Sequence, residues 1–155
     1  MQNLKDNILG LSVGTQLMGL ALMRGRSLED WQVKNFEGKW SNMKLRIIVQ
    51  TVGRYIQDHA VNFVALKVPE ECRSSPSIEM LTDALIRLCE SKNIPLYTFT
   101  ITDLKTYCRA GNKKELIQYV LAIYPELSCV SAKSQKIKKV YYVKIFEAVL
   151  ASMLS

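Results

Sequence analysis

The 155-residue sequence lacks the paired ligands and paired cysteines from which small structural sites are built. Its cysteines are widely and irregularly spaced without a Cys-x-x-Cys pair, and the single histidine, His59, is distant from all of them in sequence. Zinc sites typically use ligand pairs at short spacing, so a zinc finger is not favoured. We expect reduced thiols, as in a cytosolic protein. The four cysteines are Cys72, Cys89, Cys108 and Cys129.

Long apolar runs are also missing. No stretch approaches the roughly 20 apolar residues that span a bilayer, and residues 1–7 do not begin a signal peptide. Hydrophobic residues make up 48% of the chain and charged residues 23%, which are the proportions of a globular domain rather than a disordered chain. We therefore expect a single cytoplasmic domain over residues 1–155, with no membrane association and no small-molecule cofactor.

Acidic residues are scarce in the last third of the chain. Between Leu104 and Phe146, nine lysines and arginines stand against only Glu115 and Glu126, whereas the rest of the chain has twelve residues of each sign. The whole formal net charge of +7 therefore belongs to this segment. A basic surface attracts phosphate backbones or acidic partners, although many charged segments only keep a face of the protein solvated.

The first third of the chain has the pattern of an antiparallel meander. An apolar segment at residues 8–24 is interrupted by Gly14 and Gly19, which predicts two strands joined by a tight turn at Val13–Thr15. We expect Gly14 to supply the positive φ that such turns favour. A second turn at Gly25–Arg26 leads into a third strand. The apolar residues of that strand are Trp31, Val33 and Phe36.

The rest of the chain alternates helical and strand patterns. Val61–Val68 reads as a strand buried on both faces, and Ile94–Thr100 as a further short strand. Leu104–Ala110 is predicted as a short helix or a turn. The other helices begin at capping residues: Ser41 or Asn42, then Ser75-Pro76, then Asn112 with Glu115 as a capping box. The last helix carries Ile137, Tyr141, Ile145, Ala148, Val149 and Ser152.

This order of elements, β-β-β-α-β-α-β-α-α, predicts an α/β fold. Strands separated by helices require right-handed crossovers, so the meander continues into parallel strands and forms a mixed five-stranded sheet flanked by helices. The first and fourth strands lie at the topological switch point, beyond whose carboxyl ends ligands bind. These ends are Leu11–Val13 and Leu66–Val68.

Two segments at these strand ends resemble a known family. Ile8–Thr15, followed by Gly19–Leu22, is similar to the opening of RuvC-type Holliday-junction resolvases, which have a ribonuclease H-like fold. Phe63–Lys67 resembles the second motif of that family, and the stretch from Lys105 through Gly111–Glu115 resembles the segment before its third helix. The resemblance covers the domain. It implies junction binding by a homodimer and magnesium-dependent endonuclease activity.

The sequence departs from the family at the metal ligands. The family holds two divalent cations with four carboxylates, two from the strand ends and two from the start of the last helix. Ser12 and Lys67 stand where the first two acids are expected, and Lys138–Lys144 contains no acid. Tyr141, Tyr142 or Lys144 therefore occupies the remaining positions, and Glu147 follows roughly one turn later. Magnesium requires oxygen ligands, so we expect neither a bound metal nor catalysis.

Some alternatives remain open. Lys67 is either solvated at its strand end or faces a phosphate, and Ser12 is interpreted as a structural replacement. A serine hydrolase would need a general base beside Ser12. The single histidine, His59, ends a polar helical stretch and is interpreted as a surface residue and not as that base. Four acids outside the family positions would be the ligands of a displaced metal site, if there is one. They are Glu70, Glu71, Asp103 and Glu147.

These observations predict a catalytically inactive resolvase-like protein that binds structured or branched nucleic acid, works as a homodimer and needs no cofactor. One alternative is a protein-interaction or regulatory scaffold, and another is a nuclease with relocated acidic ligands. The segment between Ala132 and Lys144 combines lysines, which can bind the nucleic-acid backbone, with Tyr141 and Tyr142, which can stack on bases. Tyr141 is equally suited to the hydrophobic core of the protein. The candidate nucleic-acid-binding residues are Lys67, Arg73, Lys105, Arg109, Lys113, Lys114, Lys133, Lys136, Lys138 and Lys139.

Overall fold

The computed structural model describes residues 6–129 and 139–154, except for the side chains of residues 139–141. The strands are β1 (Asn7–Ser12), β2 (Leu17–Arg24), β3 (Ser27–Asn35), β4 (Phe63–Lys67) and β5 (Leu96–Phe99). The helices are α1 (Asn42–Asp58), α2 (Pro76–Ser91), α3 (Ile101–Cys108), α4 (Lys113–Ile123) and α5 (Lys139–Leu154). Short 3₁₀ turns span Glu71–Arg73 and Pro125–Leu127.

The five strands form one mixed sheet in the order β3-β2-β1-β4-β5. The pairs β1–β2 and β2–β3 are antiparallel, whereas β1–β4 and β4–β5 are parallel. The predicted α/β fold, with a meander that continues into parallel strands, is therefore confirmed. In this register Ser12 lies between Gly19 of β2 and Lys67 of β4, so the carboxyl ends of β1 and β4 are side by side.

Side-chain capping fixes the starts of α1, α2 and α4. The hydroxyl of Ser41 accepts the Lys44 N–H at 3.1 Å, and Ser75 caps α2 in the same way, with Pro76 at its first position. At α4 the capping box is only half formed, because the Asn112 side chain accepts the Glu115 N–H but Glu115 accepts from Gly111.

Helix α3 begins at Ile101, three residues before the predicted segment. Thr100 and Asp103 form a reciprocal capping box there, in which each side chain accepts the backbone N–H of the other residue. The sequence signal for this start was a threonine followed three residues later by an acid. Asp103 is therefore already engaged by the backbone of its own helix.

Each face of the sheet supports its own core because side chains alternate along every strand. Leu9 and Leu11 of β1 pack with α1 and α2, whereas Ile8 packs with α4 and α5 on the other face. Every position of the last helix that was predicted as core and has a described side chain is buried. These residues are Ile145, Ala148, Val149 and Ser152. Ile137 and the Tyr141 side chain lie outside the described part of the chain.

Small residues allow α5 to lie directly on the sheet. A β-carbon at Gly10 would collide with the carbonyl oxygen of Ala148, and one at Gly19 would collide with that of Lys144. The backbone of α5 therefore packs against β1 and β2 without intervening side chains. This close approach brings the α5 side chains around Lys144 against the carboxyl ends of β1 and β4.

The predicted role of Gly14 was wrong. The glycines with positive φ are Gly25 and Gly38, and Gly14 is not one of them. Gly14 is required for space instead, because a β-carbon there would collide with the carbonyl oxygen of Leu17 and lie 3.0 Å from the Lys144 ammonium. Within residues 6–129 and 139–154, no helix combines the length and the apolar character needed to cross a bilayer.

Candidate functional site

A buried cluster of charged and polar side chains joins the ends of β1 and β4 to α5. Ser12 is fully buried, and the Lys67 side chain is 13% exposed, so Lys67 is not a solvated strand-end residue. Both side chains point toward α5, as the strand alternation from Gly10 and Ala65 requires. The cluster, which we call the buried charge cluster, consists of Ser12, Lys67, Lys144 and Glu147.

Glu147 is the centre of this cluster. Its side chain is 3% exposed, its Oε1 accepts a hydrogen bond from the Ser12 hydroxyl at 3.2 Å, and its Oε2 lies 3.0 Å from the Lys67 ammonium. The contact with Lys67 is an ion pair, and no described residue donates a hydrogen bond to Oε2. A buried carboxylate in this setting depends on the lysine for compensation of its charge.

Lys144 adds a second ammonium to the cluster. It lies one turn before Glu147 on α5, and its Nζ donates a hydrogen bond to the carbonyl oxygen of Val13 at 3.3 Å. Burial lowers the pKa of Lys144, and the positive charges of Lys67 and Lys113 lower it further, whereas Glu147 opposes the shift. Two ammonium groups therefore share one carboxylate, which leaves excess positive charge at the strand ends.

The donor set of the buried charge cluster does not fit a magnesium site. Magnesium requires several oxygen ligands and is held mainly by carboxylates. Here the only carboxylate is Glu147, whose charge is already compensated by Lys67. A dication bound to Oε2 would have to lie beside that ammonium, and the two positive charges would repel each other. Sequence reasoning did not find the contact with Glu147, although a lone acid among the apolar residues of the last helix required a buried partner.

Two of the three acids that follow β4 and β5, Glu70 and Asp103, hold the start of α3. Glu70 accepts hydrogen bonds from the backbone and hydroxyl of Thr102, and these bonds lower the pKa of the Glu70 carboxyl. Asp103 caps Thr100, and Glu71 belongs to the 3₁₀ turn and lines a separate cavity. In the part of the chain that the structure describes, no three acidic, cysteine or histidine side chains are grouped so that they could hold a metal.

A basic cavity of about 420 Å³ opens beside the buried charge cluster. It lies between the ends of β4 and β5 and the helices α3 and α4. Four of the ten predicted nucleic-acid-binding residues line it: Lys67, Arg73, Lys105 and Lys113. The other lining residues are Pro69, Glu70, Cys72, Ile101 and Thr102. We call this site the basic cavity.

The other predicted residues divide into two groups. Arg109, the left-handed residue that ends α3, and Lys114, in the first turn of α4, are both exposed and do not line the cavity. Lys133, Lys136 and Lys138 lie outside the described residues, as does the side chain of Lys139. Tyr142 packs half-buried against the core on the α5 side of the sheet.

His59 and the cysteines do not contribute to the buried charge cluster. His59 ends α1 beside Asn7, at the opposite end of β1 from Ser12, and its ring lies 4.1 Å from that of Tyr55. A serine–histidine pair with Ser12 is therefore not formed. All four cysteines are free, with Cys89 buried and Cys72 exposed in the wall of the basic cavity.

Comparison with known proteins identifies the fold. The sequence matches no protein-family model and no curated protein. The structure is similar to that of Thermus thermophilus RuvC in complex with a Holliday junction substrate, with a TM-score of 0.71 over 96% of this chain and 90% of that chain. A second structure of Thermus thermophilus RuvC gives a TM-score of 0.70 over 95% of this chain and 91% of that one. The fold is ribonuclease H-like. Sequence identity is 13% in both comparisons, so the likeness concerns the fold alone.

Proposed function

We propose that this protein binds structured or branched nucleic acid through the basic cavity and does not cleave it. The observation that carries the proposal is the ion pair between Lys67 and Glu147, which puts an ammonium at the strand ends where a metal-dependent nuclease would need oxygen ligands. The same lysine lines a cavity with three more cationic side chains. The site is therefore suited to attracting phosphate and not to activating water on a metal.

The physical basis of binding is electrostatic. Lysine and arginine side chains that neutralise phosphates release condensed counterions, so affinity falls as salt rises. Lys105 and Lys113 provide positive charge from two different helices, and Arg73 adds a planar guanidinium that can bind two phosphate oxygens. One of the two similar structures, that of Thermus thermophilus RuvC in complex with a Holliday junction substrate, makes a four-way junction the first ligand to test. We also propose a homodimer, to be tested by sedimentation.

The test is fluorescence anisotropy with a labelled four-way junction, in EDTA, over a range of salt concentrations. We expect the logarithm of the binding constant to fall linearly with the logarithm of the salt concentration. Lys105→Glu/Lys113→Glu should weaken binding at least tenfold at low salt and reduce the salt slope by about two, because two contacts are lost. Lys92→Glu is the matched control, because Lys92 is exposed between α2 and the amino end of β5, whereas the basic cavity lies at the carboxyl ends of β4 and β5.

Parallel incubation with magnesium or manganese separates binding from cleavage. We expect the junction to remain intact at every protein concentration that saturates binding. Metal-dependent cleavage that is lost in Glu147→Ala would show that the proposed inactivity is wrong. If the junction is not bound even at low salt, the nucleic-acid proposal fails and a protein-interaction or regulatory scaffold becomes the better explanation of the fold.

A further inference from the structure

We infer that the basic cavity is a discrete site for one phosphate monoester, presented as the terminal phosphate of a nucleic acid strand. The inference rests on the proposed function because it assumes that a nucleic acid strand brings the phosphate. It adds that the protein distinguishes a phosphorylated strand end from a hydroxyl end. Three properties of the cavity support it: its charge, its lining and its size.

The first property is uncompensated positive charge. Lys67 is paired with Glu147, and the Lys144 ammonium, which donates to the Val13 carbonyl oxygen, adds a second positive charge to this poorly solvated region next to the cavity. Lys67 is only 13% exposed, and it lines the cavity together with three further cationic side chains. The low local dielectric around Lys67 strengthens its attraction to an incoming anion, and Arg73, Lys105 and Lys113 add positive charge from the more exposed part of the cavity.

The second property is the lining. Arg73, Lys105 and Lys113 come from the 3₁₀ turn after β4, from α3 and from α4, so the cations surround the cavity and are not arranged along one element. The one acid of the lining, Glu70, is held by Thr102 at the start of α3. A phosphate monoester carries about −1.5 to −2 charges near pH 7, against −1 for a backbone phosphodiester. Converging cations therefore favour the monoester.

The third property is size. A volume of about 420 Å³ lies within the range of small-ligand sites, roughly 300–1,000 Å³, and exceeds the needs of a phosphate group alone. Pro69 and Ile101 provide apolar lining beside the cations. The cavity can therefore accommodate the terminal sugar together with its phosphate. The neighbouring cavity of about 380 Å³ is lined by Glu71, Glu79 and Asp83, so an anion is not expected there.

The experiment compares one oligonucleotide in three forms: with a 5′-phosphate, with a 3′-phosphate and with hydroxyls at both ends. Binding is measured by anisotropy in EDTA at moderate salt, using an internal label. We expect at least one phosphorylated form to bind ten times more tightly than the unphosphorylated form. Equal binding of all three forms overturns the inference, and it does so without affecting the proposed function if the junction is still bound.

Substitutions locate the effect. Lys105→Ala and Lys113→Ala should reduce the preference for the phosphorylated end at least threefold each, whereas Lys114→Ala should leave it unchanged. Lys114 is a matched control because it is the neighbour of Lys113 on α4 and does not line the cavity. Lys105 and Lys113 are partly or fully exposed, so their alanine variants should fold. A preference that persists in both variants would place the phosphate elsewhere and overturn the inference.

Adenosine 5′-monophosphate and inorganic phosphate, titrated separately and followed by NMR of backbone amides, distinguish a strand end from a free small molecule. We expect weak binding of the mononucleotide, with shifts confined to the residues around the cavity, and tighter binding of the phosphorylated strand. If the mononucleotide binds as tightly as the strand does, the cavity serves a free nucleotide and the strand-end inference is wrong. If the mononucleotide binds but no nucleic acid does, the proposed function fails while the phosphate site remains.

Discussion

The Lys67 ammonium lies 3.0 Å from Oε2 of Glu147, and the two side chains are 13% and 3% exposed. Removing one member of a buried ion pair leaves an uncompensated charge, which typically costs about 3–5 kcal/mol, whereas replacing both members by apolar groups is often neutral. Lys67 is not fully buried, so the lower end of this range applies. The ion pair is therefore interpreted as a coupled unit.

The first prediction tests that coupling. Lys67→Met should lower the free energy of unfolding by about 3 kcal/mol, because Glu147 would lose its partner. Lys67→Met/Glu147→Met should recover part of this loss, because the ion pair is then removed as a whole while Lys144 loses the carboxylate that opposes its desolvation. Urea denaturation of the wild type, both single variants and the double variant measures the coupling. Lys105→Met is the control for the removal of a neighbouring lysine. If the losses of unfolding free energy in Lys67→Met and Glu147→Met add up to the loss in the double variant, the two residues are not coupled.

The parts of the fold that could be predicted from the sequence followed mostly from local sequence signals. The meander followed from turn glycines between apolar runs, and the helix starts at Ser41 and Ser75 followed from capping chemistry. The position of Glu147 could not be predicted in the same way, because it depends on how closely α5 packs against the sheet. Gly10 and Gly19 set that distance because they have no β-carbon. In the sequence, both glycines were interpreted as parts of turns and motifs and not as a surface on which a helix packs.

The second prediction concerns these glycines. Gly19→Ala should destabilise the protein by about 1–3 kcal/mol or more, because the new methyl group would collide with the backbone of α5 at Lys144. Gly53→Ala is the matched control. Gly53 lies inside α1, where a β-carbon would make only ordinary contact with Leu88, so that variant should gain about 0.5–1 kcal/mol from helix propensity. Chemical denaturation measures both. Equal effects of the two substitutions would show that α5 does not pack on the glycine surface.

The third prediction concerns pH. Burial holds the pKa of Lys144 below its usual value of 10.5. The unfolded state therefore binds more protons than the folded state between the folded and the unfolded pKa. In that window the contribution of Lys144 to stability increases as pH rises, because the buried ammonium loses its charge. The difference in unfolding free energy between wild type and Lys144→Met should accordingly shift in favour of the wild type as pH approaches 10.5. A difference that stays constant with pH would show that Lys144 is not buried in its charged form.

The fourth prediction is that carboxylates at Ser12 and Lys67 would create a metal site. In Ser12→Asp/Lys67→Glu, two new acids would lie beside Glu147, and their mutual repulsion should lower the melting temperature in EDTA. Manganese, which accepts oxygen ligands, should then stabilise the variant by binding only its folded state. The wild type should show no such stabilisation, since Lys67 compensates its one buried carboxylate. Differential scanning calorimetry with and without manganese measures the effect, and Lys105→Glu is the control for an added acid outside the cluster. A wild type that is stabilised by manganese as strongly as the double variant would show that Lys67 does not prevent metal binding.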